Sequence, residues 1–165
     1  MRLLLMGDTH VPSREAAIPE WVLDETAAAD RVIHTGDFDS PAALDTVREH
    51  APELTAVLGN IDPADLGVPE VATLDVGGVR FVVTHGTGDI AGYDDRVARV
   101  TDEHAADDRL TVGVSGHTHQ RRDEEHGGYR LLNPGSATGA DPAPDASVMV
   151  AEVADGEVSV ETLVR

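Results

Sequence analysis

The sequence predicts an α/β fold, a two-sheet mixed β-sandwich flanked by helices (an αββα arrangement), as one domain over residues 1–165. Two observations predict it. The first sixty residues alternate short apolar runs with helical patterns, the signature of a parallel sheet covered by helices. The later residues carry three strand pairs, each joined by a two-residue turn signal: Gly77-Gly78, Gly127-Gly128 and Asp155-Gly156.

In order, Arg2–Met6 is an apolar run stopped by Gly7 and reads as a buried strand. Pro19 opens a helix whose apolar face is assigned to Trp21, Val22, Leu23 and Ala27–Ala29. Arg31–His34 is a second strand. Pro41 opens the next helix, with Leu44 and Val47 three apart, and Leu54–Leu58 is a third strand ending at Gly59. Val71–Val76 and Val79–Thr84 form the first hairpin, Asp94–His104 a helix, and Leu110–Ser115 a strand. Arg121–His126 with Tyr129–Leu132, and Ser147–Val153 with Glu157–Val164, form the other two hairpins. Residues Ala137–Ala146, rich in Pro, Asp, Gly and Ala, read as a surface loop.

Composition narrows the chemistry. At 41% hydrophobic residues the chain can bury a core. It has no cysteine, so any metal must be held by nitrogen and oxygen. The apolar run at the N-terminus is too short for a signal peptide or a membrane span, and the expected location is cytoplasmic. Acidic residues number 31 against 12 basic ones, all Arg, for a net charge of -19. That field disfavours nucleic acid and anionic membranes as partners. It also predicts self-repulsion in dilute buffer, as in halophilic proteins that work in concentrated salt.

The chemistry-bearing residues sit at strand ends. Gly7-Asp8-Thr9-His10, Gly36-Asp37-Phe38-Asp39 and Gly59-Asn60-Ile61-Asp62 directly follow the first three strands. In a parallel sheet these loops leave one edge, where such sheets bind ligands. Thr84-His85-Gly86 and Ser115-Gly116-His117-Thr118-His119 follow two later strands. His10 stands two residues past Asp8, and His119 two past His117, a spacing that lets each pair share one side of an extended segment. Any one Gly-Asp or strand-end His is ordinarily a turn or a satisfied polar residue. Five such pieces, each ending a strand, are not explained as turns. Two Asp, one Asn and four His suit a pair of divalent ions such as Mn, Fe, Co, Ni or Zn better than Ca or Mg alone.

These motifs, from Gly7 to Ser136 and including Asn133-Pro134-Gly135-Ser136, resemble those of the calcineurin-like metallophosphoesterases, in particular the small YfcE-like phosphodiesterases. The resemblance implies two metal ions, with Mn the first expectation. Asp8, His10, Asp37 and His119 would hold one and Asp37, Asn60, His85 and His117 the other, Asp37 bridging. It implies hydrolysis of a small phosphate ester by hydroxide generated at the metal pair, with Asp37, Asn60 and His85 acting through metal and phosphate positioning. Many relatives carry a His after the motif Asn, placed to protonate the leaving group. Here Ile61 stands there, leaving Asp62, a water or the solvent to do so. The Arg that often follows the Asn-Pro-Gly-Ser motif in small members is absent too. The alternatives are a non-catalytic protein-binding scaffold like a related retromer subunit, a nuclease, which the short acidic chain argues against, and a phosphomonoesterase. Homo-oligomers through hairpin edges are also expected to be open to this chain.

Other residues receive plainer expectations. His34 is read as packed beside the metals rather than on them, and His50, His104 and His126 as solvent-exposed. Asp39 and Asp62 are read as carboxylates near the metals that support the ligands without touching the ions, or as plain loop carboxylates. Trp21 is assigned to a core-facing helix side. Arg121 and Arg122 could meet a phosphate or pair with nearby carboxylates.

Overall fold

Leu3 and Leu5 turn one way from the first strand and Leu4 and Met6 the other, yet all four are fully buried. A strand with both faces covered must lie inside a layered structure, and that explains its unbroken apolar run. The computed structural model describes all 165 residues. Its elements are β1 (Arg2–Met6), α1 (Glu20–Ala28), β2 (Arg31–His34), α2 (Pro41–His50), β3 (Leu54–Ala56), β4 (Val71–Val76), β5 (Val79–Thr84), α3 (Tyr93–Glu103), β6 (Leu110–Val114), β7 (Arg121–His126), β8 (Tyr129–Pro134), β9 (Ser147–Ala154) and β10 (Glu157–Val164). No helix is long and apolar enough to cross a membrane.

The strands form two five-stranded mixed sheets, ordered β10-β9-β1-β2-β3 and β4-β5-β6-β8-β7. In the first, β1, β2 and β3 run parallel, as the alternation predicted. In the second, β6 is parallel to both β5 and β8. The three hairpins form as expected, each with antiparallel register. The last one does not extend the second sheet, however. β9 pairs antiparallel with β1 and completes the first.

Three apolar clusters separate the layers. Leu3, Leu5, Ile33, Phe81, Val112 and Leu132 belong to the cluster between the sheets. Leu4, Met6, Val22, Val32, Leu44 and Val47 fill the space between the first sheet and α1 and α2. Tyr93, Val97 and Ala98 of α3 lie on Leu131 outside the second sheet. Each fully buried Leu or Phe contributes roughly 1.5–3 kcal/mol by leaving water. In α1 the buried side chains are Val22 and Thr26, whereas Ala27 and Ala28 face solvent. Trp21 is only half-buried, its ring 5.2 Å from the Arg165 guanidinium. Ser40 caps α2 by accepting the Ala43 N–H at 3.1 Å, with Pro41 in the first turn.

The layering puts the C-terminal ends of β1, β2, β3, β5 and β6 at one rim. The five motif loops leave from that rim.

Candidate metal centre

Backbone conformation marks the site. Outside the Asp155-Gly156 hairpin, every non-glycine residue in the left-handed region lies in a motif loop: Asp8, His10, Asp37, Asp39, His117 and His119, with φ between 48° and 79°. Holding an L-residue there costs about 1 kcal/mol or more, and such strain collects where side chains must be aimed. The segments around Asp8 and His117 are therefore not extended. His117 and His119 do not share a face but turn toward opposite ends of the cluster.

The structure brings all seven candidate residues together. Ligand atoms of Asp8, His10 and His119 lie within 4.8 Å of one another, as do those of Asp8, Asp37 and His85. Asp37 Oδ2 is 3.2 Å from His85 Nε2 and 3.5 Å from His10 Nε2. Asp8 Oδ1 is 3.6 Å from His119 Nε2 and 4.0 Å from His85 Nε2, so Asp8 also reaches both groups. Asn60 Oδ1 is 2.9 Å from His85 Nε2 and 3.0 Å from His117 Nδ1. Asp8, His10, Asp37, His85 and His119 are buried, whereas Asn60 is exposed and His117 half-buried, which places the open side of the cluster there.

Hydrogen bonds on the far side of each ring decide what it offers. His10 Nδ1 donates to Asp39 Oδ1 at 3.0 Å, His119 Nδ1 to Ala140 O at 2.9 Å, and His85 Nδ1 to Thr35 O at 2.7 Å. His117 Nε2 donates to Gly88 O at 2.8 Å. In the neutral form that binds a cation, the remaining nitrogen of each ring is a bare lone pair; in the metal-free molecule that nitrogen of His85 carries a proton shared with Asp37. These lone pairs face one another or an oxygen: His10 Nε2 and His119 Nε2 stand 3.1 Å apart. Acceptors pointed at acceptors in a buried cluster are what divalent cations reconcile, and the imidazole–carboxylate–amide set fits them.

Protonation in the metal-free molecule reflects the same crowding. Burial, with repulsion from Asp37, pushes the Asp8 carboxyl up to about 7. Burial works against a charge on His85, but its hydrogen bond to Asp37 and the charges of Asp8 and Asp37 raise it to about 9. Asp37 is opposed by burial yet held low by the hydrogen bond and charge of His85. Burial lowers His119. Burial, with the positive His85, takes His34 down to about 3, so it stays neutral, stacked on Phe38 and accepting the Gly36 N–H at 3.1 Å. It is a packed residue, as expected.

A pH signature follows. Native Asp8 and His85 both bind protons more tightly than the unfolded chain does. The contribution of His85 is complete below about pH 6.5 and vanishes as pH climbs through about 9. That of Asp8 is complete below about 3.8 and vanishes through about 7. Chelator-treated protein should therefore lose stability as pH rises from near 6.5 to near 9. Cation loading should release protons and flatten that slope, read by calorimetry and by melting curves with and without metal. Parallel slopes in the two forms would contradict the site's coupling to protons.

The structure gives definite tasks to several residues around the cluster. Asp62 accepts N–H bonds from Gly59 at 2.8 Å and from Asp37 and Asp39 at 2.9 Å, tying two motif loops together. Two of these bonds fall on one carboxylate oxygen and one on the other. Ser136 Oγ donates to Asp8 O at 2.7 Å and Asn133 Nδ2 to Gly116 O at 2.9 Å, which gives the Asn-Pro-Gly-Ser segment its task. Residues 137–140 are not a plain surface loop: Ala137 and Ala140 are fully buried and Ala140 O holds His119. Arg121 pairs with Asp145 at 3.8 Å, and Arg122 with Asp94 and with Glu124 at 3.3 Å, so the two arginines are engaged by carboxylates. Of the outlying histidines, His104 is exposed, but His50 and His126 are half-buried, His126 pairing with Asp95.

Comparison with known proteins places this arrangement. A profile of the calcineurin-like phosphoesterase superfamily domain matches residues 1–156. The chain belongs to that superfamily. A probable metallophosphoesterase of Methanothermobacter thermautotrophicus is 33% identical to this phosphoesterase-superfamily chain over 166 residues, covering 100% of the chain and 92% of the relative. One from Methanocaldococcus jannaschii is 32% identical over 155 residues, 94% of the chain and 77% of the relative. Among solved structures, wild-type Vps29 of Entamoeba histolytica complexed with zinc superposes with TM-score 0.79 at 32% identity, over 99% of each chain. The superfamily's metal-binding character agrees with the residues gathered here.

Proposed function

We propose that this protein is a metal-dependent phosphoesterase, a phosphodiesterase in the first instance, acting as one domain on small phosphate esters. Asp8, His10, Asp37 and His119 would hold one divalent ion and Asp37, Asn60, His85 and His117 the other, manganese being the ion to try first. The observation that carries this reading is the set of imidazole lone pairs aimed at one another and at Asp8, Asp37 and Asn60. When bound, such ions supply Lewis acidity toward the phosphate and an activated water.

The chain's own part is positioning. Asp39, Thr35 O and Ala140 O lock the buried rings, and Asp62 clamps the Asp37 and Asn60 loops. Asn60 and His117, at the open side, are placed to orient a phosphate that enters from solvent. Ile61, 41% exposed beside them, cannot transfer a proton. Esters whose leaving group departs without protonation are therefore the favoured substrates. The net charge of -19 argues against long nucleic acids.

The test is hydrolysis of bis(4-nitrophenyl) phosphate with added Mn²⁺ in concentrated salt, where the acidic surface is screened. Turnover should appear with metal and vanish in chelator. The second reading, a protein-binding scaffold of the same fold, draws support from the likeness to Vps29. A metal-loaded protein inert on mono-, di- and cyclic phosphate esters would favour it. A 4-nitrophenyl phosphate control separates monoester from diester preference.

A further inference from the structure

We propose that the groove running from Asn60 and His85 to Arg96 binds a second negative charge on the substrate. The preferred esters then carry a carboxylate or phosphate on the substituent remote from the reacting phosphorus. This inference rests on the phosphoesterase reading above and deepens it.

The groove has a volume of about 320 Å³, and its wall includes Asn60, Glu70, Thr87, His85, Arg96 and Arg99. It is thus continuous with the open side of the metal cluster, and large enough for a substituent of modest size. Its cation is unusual for this molecule. With 31 acidic residues and 12 arginines, an ion pair is the default state of an Arg. Every arginine except Arg14, Arg96 and Arg165 is paired with an Asp or Glu. Arg99, the other groove cation, is held by Glu103 at 3.0 Å. Arg165 stacks on Trp21 at the far end of the chain, and Arg14 donates to Asp141 O.

Arg96 is held by neutral groups. Its Nη2 donates to Gly86 O and to Asp89 O, both at 2.9 Å, and its guanidinium lies 5.8 Å from the Tyr93 ring centroid. Its Nε is buried without a partner. Gly88 passes so close that a Cβ there would lie 3.0 Å from the guanidinium carbon. Carbonyls and a ring face orient the guanidinium without neutralising it. The same loop reaches the cluster, since His117 donates to Gly88 O. A fixed guanidinium with no carboxylate partner beside a phosphate site is preorganised for a carboxylate or phosphate, which it can meet through Nη1, the one nitrogen left without a partner and not buried.

The experiment compares 4-carboxyphenyl phosphate with its neutral counterpart, 4-carbamoylphenyl phosphate. Their dissociation constants are measured by calorimetry on the Mn²⁺-loaded protein, at the lowest salt that keeps it folded. The carboxylate should bind about tenfold tighter or more. In Arg96→Gln that ratio should fall toward one, and Arg96→Lys should retain part of it. Glu70→Gln, which removes a carboxylate from the groove lining and leaves the Arg96 loop intact, should raise it. A third probe, 1,4-phenylene bisphosphate, tells whether phosphate or carboxylate is the better occupant. A ratio near one in the wild type, or one that survives Arg96→Gln, overturns the proposal. Turnover of bis(4-nitrophenyl) phosphate with a ratio near one removes the groove inference alone. A high ratio without turnover removes the phosphoesterase reading and leaves a binder of anionic phosphate esters.

Discussion

Replacing Asp37 by Ala should cost on the order of a thousandfold or more in phosphate-ester hydrolysis and should remove metal from both positions. Asp37 Oδ2 stands between His85 and His10, 3.2 Å from one and 3.5 Å from the other, so its charge serves both ends of the cluster. Its Oδ1 accepts the Ile61 N–H at 2.9 Å, which holds the segment after Asn60 against the β2 loop. Alanine deletes the charge and that bond together. Asp37→Asn keeps the shape and an oxygen acceptor but loses the charge, so it should separate positioning from electrostatics. The measurements are turnover with metal in excess and bound metal per chain by elemental analysis. Near-wild-type turnover in Asp37→Ala would refute the assignment.

The second large effect is expected at a residue that touches no substrate. Asp62, only 9% exposed, is a clamp of three short hydrogen bonds to backbone N–H groups of two loops. Bonds to a carboxylate are strong because the acceptor is charged. Asp62→Ala would orphan three donors, and each buried unsatisfied N–H costs about 1–3 kcal/mol. The metal-free protein should lose ~3 kcal/mol or more in chemical denaturation. As the Asp37 and Asn60 loops part, metal affinity should drop by about 10–100-fold. Asp62→Asn retains part of the clamp and should fall between. A variant with Ala that denatures like the wild type would show the loops to be held by other means.

Much of this was legible from residue order. The apolar run at Leu3–Met6 reads as a buried strand, and the Gly-Gly and Asp-Gly pairs read as hairpin turns. The loops bearing Asp8, Asp37 and Asn60 had to emerge together once their strands were parallel. Less visible was anything resting on a backbone atom. Thr35 O and Ala140 O set which nitrogen of His85 and His119 is free, yet a carbonyl carries no residue-type signal. The left-handed turns at Asp8, His10, His117 and His119 were hidden for a related reason, since Asp and His also occur in ordinary extended segments. Ala27 and Ala28 misled because alanine is small enough to sit on either side of a helix.

What the amino-acid sequence alone determined was the roster: which strands exist, which loops follow them, and which nitrogen and oxygen donors those loops carry. Only the tertiary structure decided that β9 closes against β1, that Asp62 is a clamp, and that Arg96 is left without a carboxylate. Periodicity records how deeply a face is buried but not which partner buries it. Charge counts record how many ions a chain holds but not which of them find one another.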